Sequence, residues 1–134
     1  MVNTPHKDFI RTAFALLLVA HGVAHLVGFG HAWHLLSPDP LPTHTTLFDR
    51  VDIGEAGMRS LGVVWLVIGL AFIVSGGAAL LKAGWWMVAA ATAATLSIVI
   101  CTLAQPEANV GLALDVLIVM AVLFAGRVSL YGES

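Results

Sequence analysis

Four long apolar segments separated by short polar stretches account for most of this chain. They run over Phe9–Trp33, Ser60–Leu81, Gly84–Leu103 and Val110–Gly126. A membrane-crossing helix needs roughly 20 mainly apolar residues, so each segment reads as one span. The pattern predicts an all-α membrane protein, a single four-transmembrane-helix bundle over residues 1–134.

The breaks set the connections. A few residues around Lys82 join the second and third spans into an antiparallel hairpin, and Trp85 with Trp86 opens the third span as an interfacial aromatic pair. Pro106 stops the third span and helps turn the chain, through Ala104–Asn109, into the fourth. The longest connection, Leu35–Arg59, carries Pro38, Pro40 and Pro42, then a Thr-rich stretch, then Leu47–Ile53, which reads as a short interfacial helix. It is long enough to cap one end of the bundle. Lys7 and Arg11 precede an apolar run in the manner of a secretory signal, but the run continues past His21 to about Ala32 and reads as an uncleaved span.

Composition agrees with a lipid-embedded chain. Of 134 residues, 59% are hydrophobic and 10% charged, where soluble domains carry about 25% charged residues. Mean hydropathy is +0.94. No basic run offers a nucleic-acid surface, and the lone Cys101 excludes an intrachain disulfide or a Cys-rich metal centre. Lys7, Arg11, Lys82 and Arg127 fall at one end of the predicted bundle. Arg50 and Arg59 fall at the other, among Asp39, Asp49, Asp52, Glu55 and Glu107. The positive-inside bias places both termini in the cytoplasm and the long connection outside. No inverted repeat relates the two halves.

Against this background three ionisable residues stand out: His21 and His25 in the first span, and Asp115 in the last. Such groups at bilayer depth are costly and mark functional sites. His21 and His25 are one helical turn apart, on a face shared with Phe14, Leu18, Gly28 and Ala32. A rise of about 1.5 Å per residue puts His25 and Asp115 both roughly 21 Å from the inner boundary, so they should occupy one layer. Ser97 and Cys101 lie one turn apart on the third span above Ala90 and Ala94. Gly62, Trp65 and Gly69 form a stripe on the second. Each helix thus brings a small-residue face with a polar or aromatic group in its outer half, which predicts a cavity there. His31 and His34 rotate away from the His21/His25 face and read as interfacial, while Glu55 and Arg59 read as solvated, with Glu55 able to fold over the mouth.

The string Ala20-His-Gly-Val-Ala-His25-Leu-Val-Gly-Phe29, together with Gly62-Val-Val-Trp65, the Trp85–Trp86 pair, Ser97 and Gly111, resembles a family of small, uncharacterised bacterial four-helix membrane proteins. The His-x-x-x-His-Leu-x-Gly-Phe element is the most specific part of the likeness, which covers nearly the whole chain. It implies the four-helix fold and assigns no reaction. Relatives tend to carry Asn where this chain has Asp115. A more distant likeness to DoxX-type proteins is one of fold only.

Several functions fit these residues. A ligand pocket would use His21, His25, Asp115, Ser97 and Cys101 around a polar head, with Trp65 and Phe29 against an apolar body. A transition-metal site would take His21, His25 and Asp115 as ligands. Haem would need a second subunit or a single axial ligand, because every histidine belongs to the first span or the segments beside it. Proton-coupled transport would use the same histidines and carboxylate, although the residues below His21 are mostly Leu, Val and Ala. The plainest alternative is that the polar groups only staple the helices together. Expected partners are membrane lipid and a second copy of the chain or a larger membrane complex, and whether the protein is an enzyme stays open.

Overall fold

Each apolar segment folds as a single helix. The computed structural model describes residues 5–36 and 45–131. Its helices are α1 (Pro5–Ala32), α2 (Gly54–Leu80), α3 (Trp86–Leu103) and α4 (Asn109–Tyr131). Three are long and apolar enough to cross a membrane, α1 over His6–Ala32, α2 over its full length and α3 over its full length; α4 adds a shorter apolar stretch, Asn109–Ala125. α1, α2 and α4 outrun their apolar segments, because hydropathy marks only the greasy part of each, whereas α3 starts two residues inside its own. α2 begins at Gly54 rather than Ser60, its first turns carrying the Glu55–Arg59 pair at 2.5 Å, one turn apart, a spacing that supports a helix start.

Burial runs opposite to that of a water-soluble domain. Large apolar side chains face outward: Phe9, Val67, Val88, Met120 and Phe124 are all exposed. His21, His25, Ser75, Ser97 and Asp115 are buried. An arrangement that shows Leu, Val and Phe to its surroundings and hides its polar groups suits hydrocarbon rather than water.

Helices adjacent in sequence pack against one another: α1 on α2, α2 on α3, α3 on α4. Small residues set the closest approach. A Cβ added at Gly22 would sit 2.6 Å from the Gly69 carbonyl oxygen, and one at Gly69 would sit 2.8 Å from the Gly22 carbonyl oxygen. The α1 and α2 backbones therefore touch at this level, the small-residue mode of association common in membranes. Leu18, Ile68, Phe72, Ala90, Ala93, Ala94 and Ile118 form the core that joins all four helices. α2 turns into α3 through Lys82, whose backbone is left-handed (φ 58°), with the Ala83 N–H donating to Ala78 O. At this terminal end Asp8 pairs with Arg11 (2.6 Å) and Lys82 (3.4 Å).

The opposite end is closed by the α1–α2 connection, and here the structure corrects the sequence reading. Leu47–Ile53 is not a helix. Thr45–Thr46 (β1) and Val51–Asp52 (β2) pair antiparallel, Thr45 with Asp52 and Thr46 with Val51. Leu47, Phe48 and Asp49 form the turn, all with left-handed backbone (φ 53°, 57° and 60°). The Leu47 N–H donates to Leu103 O and the Phe48 N–H to Gln105 O, both at 2.9 Å. A segment this short has little helical stability of its own, and bonds to the α3–α4 turn decide its shape. The proline-containing part of the connection, with Pro38, Asp39, Pro40 and Pro42, lies outside the described residues.

The contact at Gly22 is directly testable. Gly22→Ala must push α1 and α2 apart and should cost about 1–3 kcal/mol, read as a lower thermal midpoint in detergent. Gly77→Ala, where an added Cβ meets nothing within 4 Å, should leave the midpoint unchanged or raise it.

Candidate functional site

α1 carries His21 and His25 one turn apart on its buried face, α3 carries Ser97 and Cys101 at the same spacing, and α4 carries Asp115. The three helices bring these residues into one cluster. His21 Nε2 lies 2.7 Å from Asp115 Oδ1. The Ser97 hydroxyl donates to Asp115 Oδ2 at 2.5 Å. His25 Nε2 lies 2.7 Å from Ser97 Oγ. The result is a continuous chain, His21–Asp115–Ser97–His25. Ser97 spends its only hydrogen on the carboxylate, so its oxygen accepts from the His25 Nε2–H. Cys101 Sγ sits 3.6 Å from Ser97 Oγ.

Packing holds these groups in place. Phe72 meets the His21 ring edge-on with centroids 4.8 Å apart, and the His25 ring at 5.6 Å. The two imidazoles are tilted by 54° with centroids 4.8 Å apart. Leu18, Phe72 and Ile118 seal the terminal side of the cluster; Ser75, beyond them, donates to Ala71 O of its own helix. Thr92 and Thr95 are exposed and likewise donate to carbonyls of their own helix. Among the described residues no polar path leads from His21 toward the terminal end.

Above the cluster lies a cavity of about 390 Å³, within the range of small-molecule sites. Its floor is His21 and His25, its walls include Trp65, Leu61, Met58, Gly28, Cys101 and Leu114, and Thr45 and Thr46 of the hairpin reach over it. Among the described residues no buried side-chain nitrogen or oxygen is left without a partner, yet neither histidine Nδ1 is hydrogen-bonded. Nε2 of each ring is engaged and both histidines line the cavity, so Nδ1 is the ring nitrogen left to meet a ligand there.

The predicted residues divide accordingly. His21, His25, Cys101 and Trp65 line the cavity. Ser97 and Asp115, both 0% exposed, lie behind the histidines and act by orienting them. Phe29 is not among the lining residues; its ring packs on Trp33, with centroids 5.7 Å apart. Glu55 does not fold over the mouth but pairs with Arg59. Two groups were missed: His31, expected to point away, and Glu107 both line the cavity. His31 follows Ala24 and Val27 at helical spacing, so the cavity takes in a second stripe of α1 beside the His21/His25 stripe.

Ligand-capable atoms of His21, His25 and Asp115 lie within 4.8 Å of one another, so the cluster is compatible with a metal ion. Both Asp115 oxygens are already occupied, by His21 and Ser97. That is the arrangement of a carboxylate behind a histidine ligand rather than of a ligand itself. The two histidines rise from one face of one helix, so they cannot flank a haem iron from opposite sides. No protein-family model matches this chain, and no curated protein or solved structure matches it.

Removing the carboxylate should expose its structural share. Asp115→Ala leaves His21 Nε2 and the Ser97 hydroxyl without their partner and should cost about 1–3 kcal/mol. Asp115→Asn, which keeps an acceptor, should cost less. Thermal midpoints in detergent test this order, and an Asp115→Ala protein as stable as the wild type would contradict it.

Proposed function

We propose that this protein is an integral protein of a bacterial-type inner membrane and binds a small or lipid-like ligand in the cavity over His21 and His25. In this reading the termini are cytoplasmic, and the hairpin and the cavity lie in the outer half. Lys7, Arg11 and Lys82 at the terminal end support that orientation. The observation that carries the reading is a cavity with mostly apolar walls lined by His21 and His25, whose Nδ1 atoms have no hydrogen-bond partner among the described residues. An apolar cleft with a few convergent polar groups is the usual form of a ligand site. Asp115 and Ser97 hold the two rings from behind, and Trp65 flanks the ligand's apolar body.

Stapling alone accounts poorly for the cluster. An aspartate near the centre of a membrane helix costs about 2.5–3.5 kcal/mol, while interhelical polar bonds in membranes average about 0.6 kcal/mol. The absence of a polar path below His21, among the described residues, weighs against transport through one chain. The exposed apolar faces suit lipid and also self-association. A metal ion held by His21 and His25, with Asp115 behind, is the second reading, favoured by the compact grouping of their ligand atoms.

Mass spectrometry and elemental analysis of one purified, nanodisc-embedded sample separate the two. The proposal expects a co-purifying amphiphile whose amount falls about tenfold in His25→Ala, since the site loses a hydrogen-bonding partner. It should be unchanged in Val67→Ala on the exposed face of α2. One metal ion per chain, lost in His25→Ala, would establish the second reading instead. Neither amphiphile nor metal would leave stapling as the role of the cluster.

A further inference from the structure

We infer that the head group taken by this cavity is an uncharged hydroxyl, that of a lipid-soluble alcohol or phenol, and that it arrives sideways through the gap between α1 and α4. The inference rests on the ligand-binding reading above and specifies its chemistry.

Proton counting sets the polarity of the floor. The His25 Nε2–H is given to Ser97, whose own hydrogen goes to Asp115. A neutral imidazole has one N–H, so His25 Nδ1 is a bare acceptor. A charged His25 would have no carboxylate of its own, since Asp115 bonds His21 directly. The His21–Asp115 pair is buried, at 2% and 0% side-chain exposure. A net charge left there would cost several kcal/mol, so the pair is neutral overall. With the Ser97 hydrogen on Oδ2, neutrality leaves two arrangements, a carboxylic acid donating to Nε2 or a carboxylate beside an imidazolium. In both, His21 carries a hydrogen on Nδ1. The cavity floor therefore offers one donor, His21 Nδ1–H, and one acceptor, His25 Nδ1.

A hydroxyl satisfies both at once, accepting from His21 and donating to His25. The two rings are close neighbours, with centroids 4.8 Å apart, and a bridging hydroxyl would make bonds of about 2.8–2.9 Å to each Nδ1. An ether or ketone satisfies only the donor. Among the described residues no lysine or arginine lines the cavity, and Glu107 does, so a phosphate or carboxylate head finds no counter-charge and one repulsive one. An ammonium head has Glu107 as a counter-charge, but at the floor it meets the His21 N–H, donor against donor, and can use only the one bare acceptor.

The route follows from which lining residues reach the outer surface. Val27 on α1 is 45% exposed and Val110 on α4 is 74% exposed, and both line the cavity, as does the exposed Ala24. α1 and α4 meet through the His21–Asp115 bond rather than by close helix packing. Thr45 and Thr46 cover the aqueous end. The open side thus faces acyl chains, where an amphiphile with a weakly polar head can leave its tail in the leaflet.

The test uses the full chain in nanodiscs with 15N-labelled histidine and four probes: 4-nonylphenol, 1-dodecanol, 4-nonylanisole and nonanoate. The free protein should show a protonated Nδ1 at His21, and at His25 a protonated Nε2 with a bare Nδ1. Nonylphenol or dodecanol should shift both Nδ1 resonances, and which of the two binds better distinguishes phenol from alcohol. Nonylanisole and nonanoate should bind about tenfold more weakly, having lost one bond. Ser97→Ala, a change of one buried oxygen, should abolish the preference for phenol over its methyl ether while the protein stays folded. Equal binding of phenol and ether by the wild type, or a proton on His25 Nδ1, would overturn the head-group assignment and leave the cavity as a binding site. If none of the four probes moves either histidine, the ligand-binding reading itself falls, and the inference with it.

Discussion

A single chain of buried hydrogen bonds, from His21 through Asp115 and Ser97 to His25, ties the first helix to the last two. α1 lies along α2, and α4 lies along α3, but α1 and α4 share no extensive packing of their own. Without the carboxylate between them, that side of the bundle would rely on the apolar core around Leu18, Phe72 and Ile118. The chain is also what turns two ordinary histidines into an oriented pair. Each ring is fixed at Nε2 by a partner and at its face by Phe72, so Nδ1 is the ring nitrogen each has left for a ligand.

That space exists because the helices are packed unevenly. Gly22 and Gly69 let α1 and α2 approach until backbone touches backbone. Gly28 gives Trp65 a place to lie: a Cβ there would come within 2.8 Å of the indole ring. On the other side, α1 and α4 splay around the cavity, and the hairpin is bonded across to the α3–α4 turn. Close packing below and an opening above place a polar floor inside an otherwise apolar protein. Its cost in lipid is offset by mutual pairing and, on the reading proposed here, by what it binds.

Much of this could be read in the residue order. Runs of apolar residues located all four helices, because length and hydropathy alone decide what can cross a bilayer. Helical spacing put His21 and His25 on one face, and depth reckoning brought Asp115 near them. That reckoning matched Asp115 with His25, whereas the direct bond is to His21. One helical turn separates the two, and a depth counted from assumed boundaries does not resolve one turn. The hairpin at Thr45–Asp52 was not legible, since its shape depends on the carbonyls of Leu103 and Gln105, far away in the chain. His31 was assigned to the interface because only one stripe of α1 was taken as inward, and the cavity is wide enough to use two. Phe29 lies one residue past Gly28, and that single step of about 100° takes it off the cavity and onto Trp33.

The account depends on a direct bond between the first and last helices in a dry layer. Rotational-echo NMR between 15N-labelled histidine and 13C-carboxyl-labelled aspartate, on the protein in lipid bilayers, measures that bond. Strong dephasing of the His21 ring nitrogen by Asp115, matching the 2.7 Å contact and lost in Asp115→Asn protein carrying no carboxyl label there, is the predicted result. An undephased His21 nitrogen would mean that the two side chains do not meet, and both the cavity floor and the binding site built on it would have to be abandoned.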